Sequence, residues 1–261
     1  MASLKNKIVF ITGASAGIGE ACAKAFAAEG ANLVLSARRI DRLEKLGSEL
    51  KERHGINVYT FKLDVRERQD VFNSVEALPD EFKNIDILIN NAGLARGLVE
   101  MYKDDPDGWD EMIDTNVKGA LNVIKAIVPG MVERKNGHVI NIGSTAGHMA
   151  YPKGGVYCAT KFALSAITDS LRMDVIDKGI RVGTIDPGMV ETDFSGIRFR
   201  GDMEKAKAVY RGVDALTADD VAEAVVFMAS RPKNVNIGEM VLLAGTQANA
   251  FVLHRDPNIN Q

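Results

Sequence analysis

Two residues of the 261-residue chain, Tyr157 and Lys161, have the types and the spacing of a proton-transfer pair. On a helix, residues four apart lie on the same face, one turn from each other. A phenol is a poor acid or base at neutral pH, but a cation within about 4–6 Å lowers its pKa by stabilising the phenolate. The pair therefore predicts that Lys161 makes Tyr157 usable in catalysis, although ordinary helix surfaces show the same spacing when a lysine snorkels beside an aromatic ring.

A glycine-rich segment predicts a binding site for a dinucleotide. It reads Thr-Gly-Ala-Ser-Ala-Gly-Ile-Gly over residues 12–19, between an apolar strand and a predicted helix. Gly13 permits a tight turn, Gly17 lets the backbone approach a pyrophosphate, and Gly19 lets the helix pack closely against the strand. Because the N–H groups at a helix N-terminus bind phosphates, the segment predicts a pyrophosphate-binding loop.

The second predicted strand ends in two arginines, Arg38 and Arg39, with no acidic residue at its tip. An NAD enzyme usually presents a carboxylate there to the ribose 2′-hydroxyl, whereas an NADP enzyme presents arginine to the 2′-phosphate. The two arginines therefore favour NADP. The alternative is a solvated helix start, in which one of them pairs with Asp41, or Arg42 pairs with Glu44.

Two further strand ends are candidate parts of the cofactor site. Asp64 precedes Val65 at the end of the third predicted strand, where its carboxylate could accept a hydrogen bond from an adenine amino group. The same residue could instead cap a helix that runs on from Arg66. The fourth strand leads into Asn-Asn-Ala-Gly at residues 90–93, which suits either a backbone close to a ribose or a simple turn.

The fifth predicted strand delivers a hydroxyl, Ser144, to the carboxyl end of the sheet. Open α/β sheets bind their ligands at that end, so Ser144 should face the same crevice as the glycine-rich loop. Asn116 lies in the helix after the fourth strand, where its amide could distort the backbone pairing and hold a water. Taken singly, the two residues could also be an ordinary loop hydroxyl and a solvated helix residue.

The elements that must position these residues alternate between short apolar runs and longer amphipathic segments. The predicted strands are 7–12, 32–36, 57–63, 85–89, 138–142, 180–185 and 239–243. The predicted helices are 16–29, 40–54, 66–78, 109–129, 157–176 and 218–230. This alternation, with nearly continuous apolar strands, predicts an α/β fold: a Rossmann-like, doubly wound parallel sheet of about seven strands with helices on both faces. We expect one domain over 1–261, with a small helical lid at 194–214 and a C-terminal tail at 247–261.

Composition excludes several other classes of protein. The chain is 46% hydrophobic and 26% charged, with a net charge of −3, so it gives no electrostatic reason to bind nucleic acid or acidic membranes. Its first residues lack the apolar core of a signal peptide, and its apolar runs are too short to span a bilayer, which favours the cytoplasm. Its two cysteines, Cys22 and Cys158, lack metal-site spacing and are predicted to be reduced thiols, with no metal bound.

These motifs together resemble the short-chain dehydrogenase/reductase family in both order and spacing. The matching positions are Thr12-Gly13-x3-Gly17-Ile18-Gly19, Asn90-Asn91-Ala92-Gly93, Asn116, Ser144, Tyr157-x3-Lys161 and Pro187-Gly188. The resemblance implies that Tyr157 is the general acid/base and that Lys161 lowers its pKa and binds the nicotinamide ribose. It also implies that Ser144 positions the substrate oxygen and that Asn116 anchors a water in the proton relay.

The resemblance also implies the residues that bind NADP. They are Gly13, Ser15, Gly17, Ile18, Gly19, Arg38, Arg39, Asp64, Val65, Asn91, Ala92, Gly93, Tyr157, Lys161, Pro187, Gly188, Val190 and Thr192.

Within that family the chain resembles NADP-dependent 3-hydroxy acid dehydrogenases of the serine or allo-threonine type. The detailed likeness lies in residues 112–116, 129–134, 141–147 and 190–202. It implies oxidation of L-serine, L-allo-threonine or related 3-hydroxy acids, with the substrate oxygen held by Ser144 and Tyr157. Arg198 and Arg200 of the lid are candidate ligands for the substrate carboxylate, since arginine binds carboxylates bidentately, although lid arginines are also commonly solvated.

Two other functions stay open at this point. A broad carbonyl reductase would use apolar residues such as Met149, Tyr151, Met189 and Phe194 to line a permissive pocket. A regulatory protein that only senses NADP would have no need of a proton-transfer set. The family resemblance further implies a homotetramer, through the helices within 101–130 and 157–177 and the last strand.

Overall fold

The computed structural model describes residues 2–259 and places a seven-stranded parallel sheet within them. The strands are β1 Ile8–Thr12, β2 Asn32–Ala37, β3 Val58–Lys62, β4 Ile87–Asn90, β5 Gly137–Ile142, β6 Ile180–Pro187 and β7 Glu239–Leu242. Their order in the sheet is β3-β2-β1-β4-β5-β6-β7. The order reverses between β1 and β4, and such a reversal opens a crevice at the carboxyl ends of the strands.

Nine α-helices connect and cover the strands within residues 2–259. They are α1 Gly17–Ala28, α2 Ile40–His54, α3 Arg68–Glu76, α4 Pro106–Ile113, α5 Ala120–Arg134, α6 Gly155–Asp174, α7 Phe194–Arg198, α8 Met203–Tyr210 and α9 Ala218–Ala229. Short 3₁₀ turns lie at Asp80–Phe82, Met101–Lys103, Thr145–Gly147 and Ile176–Lys178.

Helices cover both faces of the sheet, which confirms the doubly wound fold. On one face, Phe26 of α1, Leu43 of α2 and Val225 of α9 belong to the same buried cluster. On the other face, Val71 of α3 and Val123 of α5 are fully buried. The central strands are therefore apolar on both sides, as their continuous runs of Val, Ile and Leu predict.

The helix predicted at 109–129 differs in its geometry. It runs from α4 into α5 through a π-helical turn, Asp114–Gly119. Asn116 lies in this turn, and its side chain accepts a hydrogen bond from the Leu94 N–H and donates one to the Leu94 carbonyl. The segment predicted to be a lid, 194–214, contains the two short helices α7 and α8, and its role as a lid stays a prediction. The tail is described as far as Ile259, so residues 260 and 261 lie outside the described part.

One buried group of the sheet, His138 on β5, has an unusual environment. It is 2% exposed, and neither ring nitrogen has a hydrogen-bond partner among the residues the structure describes. Burial, with a smaller effect from the Arg181 charge, lowers the pKa of His138 to about 3. The imidazole is therefore neutral in the folded protein at ordinary pH.

We expect His138→Leu to raise the free energy of unfolding at pH 7 by about 1–2 kcal/mol, because it removes buried polar atoms that lack partners. An unfolded histidine has a pKa near ~6.5, so below that pH the unfolded chain binds a proton that the folded chain does not. Wild-type stability should therefore fall as the pH drops from 6.5 towards 3. The difference in unfolding free energy between His138→Leu and wild type should therefore be about 2 kcal/mol larger at pH 5 than at pH 7.

Urea unfolding at pH 7 and pH 5 measures both differences. The exposed His254 supplies the matched control, His254→Leu, which makes the same substitution without a buried imidazole. An advantage of His138→Leu that stays constant between the two pH values would contradict this account of the buried histidine.

Candidate active site

The carboxyl ends of the strands open into a cavity of about 590 Å³. Every residue predicted to bind the cofactor lines it except Gly19, which packs against the Gly13 carbonyl and the Asn91 side chain. Ser144, Tyr157 and Lys161 line the same cavity. The sequence did not predict several other lining residues: Ser36, Thr115, Ile142, Asp193 and Ile197.

The glycine-rich loop has the shape that a pyrophosphate site requires. Gly13 and Gly17 have φ values of +67° and +54°, which favour glycine. A Cβ on Gly19 would come within 2.5 Å of the Gly13 carbonyl oxygen, so only glycine lets α1 approach this closely. α1 begins without a side-chain cap, so no capping side chain occupies its first N–H groups. These features fit the diphosphate of a dinucleotide.

Contacts between the first and fourth strand ends hold this loop in place. The Thr12 hydroxyl accepts hydrogen bonds from the N–H groups of Asn91 and Ala92, each at 2.9 Å. In return, Asn91 Nδ2 donates to the Thr12 carbonyl at 2.9 Å. The segment at 90–93 is thus a structural partner of the glycine-rich loop and also a wall of the cavity.

The arginines after β2 form a cationic group at one end of the cavity. Arg39 Nε donates to the Ser15 hydroxyl at 3.2 Å, while Arg38 is exposed beside it. Burial and the Arg42 charge are the main causes that lower the pKa of Arg39. Nearby, the buried Ser36 hydroxyl has no partner among residues 2–259. Guanidinium groups next to a free hydroxyl fit a 2′-phosphate.

The ion pairs that the alternative interpretation expects do not form among the described residues, although Arg38 is exposed and Arg39 is the N-cap residue of α2. No ion pair there joins either of them to Asp41, or Arg42 to Glu44. Arg42 lies instead 3.5 Å from Asp193, the residue directly before α7.

Asp64 lines the cavity, but its carboxylate is held by Arg66 at 2.6 Å. A hydrogen bond from Arg66 is also the main cause that lowers the pKa of Asp64. The helix that follows starts at Arg68 with Glu67 as its N-cap residue, so the prediction that Asp64 caps it is wrong. A contact of Asp64 with adenine stays a prediction.

Tyr157 and Lys161 lie on the first turns of α6 and face the cavity. Lys161 Nζ is 5.9 Å from the centre of the Tyr157 ring and donates to the Ile142 carbonyl at 2.8 Å. Burial lowers the pKa of Lys161 to about 8, and the charge of Asp186 opposes this shift. Burial raises the pKa of Tyr157, opposed by the Arg198 charge and by a hydrogen bond with Ser144.

Ser144 and Asn116 are brought to the same region by different contacts. The Ser144 hydroxyl accepts from the Ala146 N–H at 3.1 Å and lies within hydrogen-bond reach of Tyr157. Asn116 Nδ2 donates to the Leu94 carbonyl at 2.8 Å and to the Thr160 hydroxyl at 3.0 Å. Both amide hydrogens of Asn116 are therefore engaged, so a water held by its side chain would have to donate to the amide oxygen, Oδ1. Its place in a proton relay stays a prediction.

The two lid arginines lie in different environments. Arg198 is 5.1 Å from the centre of the Tyr157 ring and 5.3 Å from that of Phe194, and it donates to the Tyr151 hydroxyl at 3.2 Å. Its Nε is buried without a partner in the described chain. Arg198 therefore lies against Tyr157 with one guanidinium donor unused.

Arg200 makes no hydrogen bond or ring contact with Tyr157 in the described part of the chain. Its backbone has a left-handed φ of +51°, and its exposed side chain lies 3.5 Å from Asp105 and 3.6 Å from Glu111. The sequence could not separate the two arginines, because they are two residues apart on a short, irregular segment.

Sequence reasoning missed one buried charge, Asp186 on β6. It is fully buried and accepts a hydrogen bond from the Ser144 N–H at 3.2 Å. The available signal was a single acidic residue inside an apolar strand, directly before Pro187-Gly188.

Two further predictions concern membrane-spanning segments and the state of the cysteines. In the part of the chain that the structure describes, no helix is both long enough and apolar enough to cross a membrane. Cys22 and Cys158 are buried and do not form a disulfide.

Known proteins show close similarity to this chain. Residues 7–202 match a family model described as short chain dehydrogenase. The chain is 45% identical over 250 residues to the NADP-dependent 3-hydroxy acid dehydrogenase of Salmonella typhi, across 95% of this chain and 99% of that protein. It is 40% identical over 253 residues to sulfoacetaldehyde reductase 2 of Chromohalobacter salexigens, across 96% and 100%. A solved structure of the closed form of serine dehydrogenase complexed with NADP+ has a TM-score of 0.89 at 44% identity, across 95% and 100%.

Proposed function

The chain belongs to the short-chain dehydrogenase family, and on that premise we propose that it oxidises the 3-hydroxyl carbon of small 3-hydroxy acids with NADP. L-serine and L-allo-threonine are the substrates we expect first. The observation that carries the substrate class is the position of Arg198 over the Tyr157 ring, 5.1 Å from its centre. A cation at this position can bind the carboxylate of a 3-hydroxy acid while the 3-hydroxyl of the same substrate faces the Tyr157 phenol.

The proposed mechanism assigns one task to each residue of the site. When bound, NADP supplies the hydride acceptor, or in the reverse direction NADPH supplies the hydride. Ser144 holds the substrate oxygen, and Tyr157 accepts its proton as general base, or returns it in reduction. Lys161 keeps a positive charge beside the phenol and the ribose, and Asn116 fixes the main chain at Leu94 against α6.

The cofactor assignment rests on the residues that fit NADP. Arg38, Arg39 and the partnerless Ser36 hydroxyl offer cationic and neutral donors at the end of β2, where a carboxylate would suit NAD instead. The solved relative contains NADP+ in its complex.

The names of two relatives support an anionic substrate. A 3-hydroxy acid and sulfoacetaldehyde both carry an anionic group beyond the reacting carbon. A broad reductase of uncharged ketones would not require a cation beside Tyr157, and a regulatory NADP sensor would not require the proton-transfer set at all. The arrangement of Arg198, Tyr157 and Ser144 therefore favours the 3-hydroxy acid over both alternatives.

We expect Arg198→Met to raise the KM for L-serine by about 10- to 100-fold, because charge-assisted hydrogen bonds contribute roughly 1.5–3 kcal/mol. Methionine keeps an apolar side chain against Tyr157 and Phe194. NADP reduction, with NAD alongside, is measured over L-serine, L-allo-threonine, 3-hydroxypropanoate and simple alcohols. Arg200→Met is the matched control and should change each KM by less than about threefold, as expected for exposed ion pairs.

Kinetics with uncharged substrates distinguish a 3-hydroxy acid dehydrogenase from a broad carbonyl reductase. If wild-type enzyme turns over ketones and simple alcohols as efficiently as L-serine, and Arg198→Met leaves every KM unchanged, the broad carbonyl reductase replaces the proposed function.

We further propose that the chain acts as one dinucleotide-binding and catalytic domain in a cytoplasmic homotetramer. Exposed apolar side chains on the helices within 101–130 and 157–177 and on or beside β7 support this assembly; they are Ile113, Leu121, Phe162, Met173, Val241 and Leu243. Faces of this kind are typical of subunit interfaces. Light scattering measures the mass in solution, and a fully active monomer would contradict the assembly.

A further inference from the structure

Asp186 lies behind the active site and has no task in the mechanism above. One carboxylate oxygen, Oδ1, accepts hydrogen bonds from the Thr184 hydroxyl at 2.8 Å and from the Ser144 N–H at 3.2 Å. The side chain is fully buried. A buried carboxylate is costly unless it is hydrogen-bonded and faces an opposite charge. This side chain therefore holds the main chain at the residue that positions the substrate oxygen.

The neighbouring backbone is shaped to admit this carboxylate. A Cβ on Gly143 would lie only 1.7 Å from Asp186 Oδ1 and 2.8 Å from the Thr184 hydroxyl. Only glycine at 143 therefore leaves room for the acidic group directly beneath Ser144.

The opposite charge comes from the catalytic lysine. Lys161 is 7% exposed, and its Nζ donates to the carbonyl of Ile142, the residue that precedes Gly143. The charge of Asp186 raises the pKa of Lys161 against the lowering effect of burial. The carboxylate therefore favours the protonated form of a lysine that must be a cation to assist Tyr157.

The second carboxylate oxygen is bound from the solvent side by His148. Its Nε2 lies 2.9 Å from Asp186 Oδ2, and because an ionised carboxylate can only accept, the imidazole donates. His148 follows the turn Thr145–Gly147, and 32% of its side chain is exposed. Its Nδ1 lies 3.7 Å from the exposed Glu239 of β7.

We propose that Asp186 and His148 are positioning residues of the active site. The carboxylate orients the main chain at Ser144 and its negative charge favours the cationic form of Lys161, and His148 fixes the carboxylate in that place. The charged and titratable groups that face this carboxylate are Lys161 from α6 and His148 from the turn after β5, with Glu239 of β7 beyond the imidazole. This role rests on the proposed function of Tyr157, Ser144 and Lys161.

A divalent cation is a poorer explanation of the same cluster. Ligand atoms of His148, Asp186 and Glu239 lie within 4.8 Å of one another. Asp186 Oδ1 already accepts two hydrogen bonds, however, and Oδ2 accepts one from the imidazole. A metal would have to break the bond that joins the imidazole to the carboxylate.

Asp186→Asn tests the role of the charge, because it keeps the size and an acceptor oxygen. NADPH affinity is measured by fluorescence from pH 6 to pH 9. NADPH affinity should fall as the pH rises and Lys161 loses its proton. Without the carboxylate, Lys161 loses that proton at a lower pH, so the fall in NADPH affinity should begin at least about one pH unit lower than in wild type. At pH 6, where Lys161 is protonated in both proteins, the two affinities should agree within about threefold. Asp177→Asn removes an exposed carboxylate and is the matched control.

His148 variants test the hydrogen bond to the carboxylate. His148→Ala should reduce kcat with L-serine by about tenfold or more, the loss expected for a hydrogen bond to a charged group. The KM for L-serine should change by less than about threefold, since His148 is not among the residues that line the cavity. His148→Gln retains an N–H donor and should recover kcat to within about threefold of wild type. His254→Ala is the control at an exposed histidine.

Failure of the positioning proposal and failure of the proposed function would give different results. An unshifted pH dependence of NADPH binding in Asp186→Asn would overturn the proposal, and so would a His148→Gln variant as impaired as His148→Ala. A wild-type enzyme that binds NADPH but oxidises no 3-hydroxy acid would overturn the proposed function instead. The binding measurement on Asp186→Asn needs no turnover and would still report on the charge.

Discussion

Tyr157→Phe is expected to reduce kcat by about 10²- to 10⁴-fold, the range that a positioned acid/base group contributes. The phenol is the one group of the proposed mechanism that both accepts and returns the substrate proton. Stopped-flow or steady-state absorbance of NADPH measures the loss. The dissociation constant of NADPH should stay within about threefold of wild type, since the variant removes a single hydroxyl group.

The structure explains why this variant should leave the site otherwise intact. The Tyr157 ring packs edge-on against Phe194, with ring centres 5.7 Å apart, and lies 5.1 Å from the Arg198 guanidinium. A phenyl ring keeps both contacts and gives up only the hydrogen bond with Ser144. Unfolding free energy should therefore change by no more than about 1.5 kcal/mol.

Tyr151→Phe is the matched control for the loss of a lid-facing hydroxyl. Tyr151 contacts Arg198 at 3.2 Å but does not touch Ser144, so its loss should reduce kcat by less than about tenfold, the equivalent of one hydrogen bond. Turnover of Tyr157→Phe close to that of wild type would remove the phenol from the mechanism, whatever the control shows.

Arg38→Asp is expected to lower kcat/KM for NADP by about 10²-fold or more. The variant removes a charge-assisted hydrogen bond worth roughly 1.5–3 kcal/mol and places a carboxylate against the 2′-phosphate. The same carboxylate can accept from the 2′-hydroxyl of NAD, so kcat/KM for NAD should rise. Initial rates with both cofactors at saturating L-serine measure the change in preference.

Arg53→Asp reverses the same charge at the exposed far end of α2 and controls for the change in net charge. It should alter the NADP/NAD preference by less than about twofold, because solvent and salt screen a charge at that distance. An Arg38→Asp enzyme that keeps its preference for NADP would show that Arg39 and the loop around Ser15 bind the 2′-phosphate without it.

Local sequence patterns were sufficient for the fold and for much of the candidate site. The glycine spacing from Gly13 to Gly19, the arginines after β2 and the pair Tyr157 and Lys161 each lie within a few residues of one another. Their side chains follow from the geometry of one turn or one helix. The alternation of apolar strands and helices likewise gave the order of elements, since parallel strands need helical crossovers.

The remaining parts depend on contacts between distant segments, which periodicity does not encode. The distinction between Arg198 and Arg200 depends on where two short helices fold over the sheet, and on the acidic partners Asp105 and Glu111. The prediction that Asp64 caps a helix failed because Arg66 binds that carboxylate and the helix begins later.

Asn116 combines a local feature that the sequence predicts with distant contacts that it does not. The sequence placed an amide where it could disturb a helix, and the structure has a π-helical turn there. The partners of that amide, Leu94 and Thr160, are 22 and 44 residues away along the chain. No short-range pattern could have named them.

The close approach of Gly143 to Asp186 also has an evolutionary consequence. A side chain at 143 and the carboxylate of Asp186 in its present position cannot coexist, because a Cβ would lie 1.7 Å from Oδ1. The two positions are therefore coupled: a lineage can acquire alanine or serine at 143 only once the acid at 186 has been replaced or displaced. Epistasis of this kind would keep this chain and its descendants on glycine at 143 for as long as the buried charge persists.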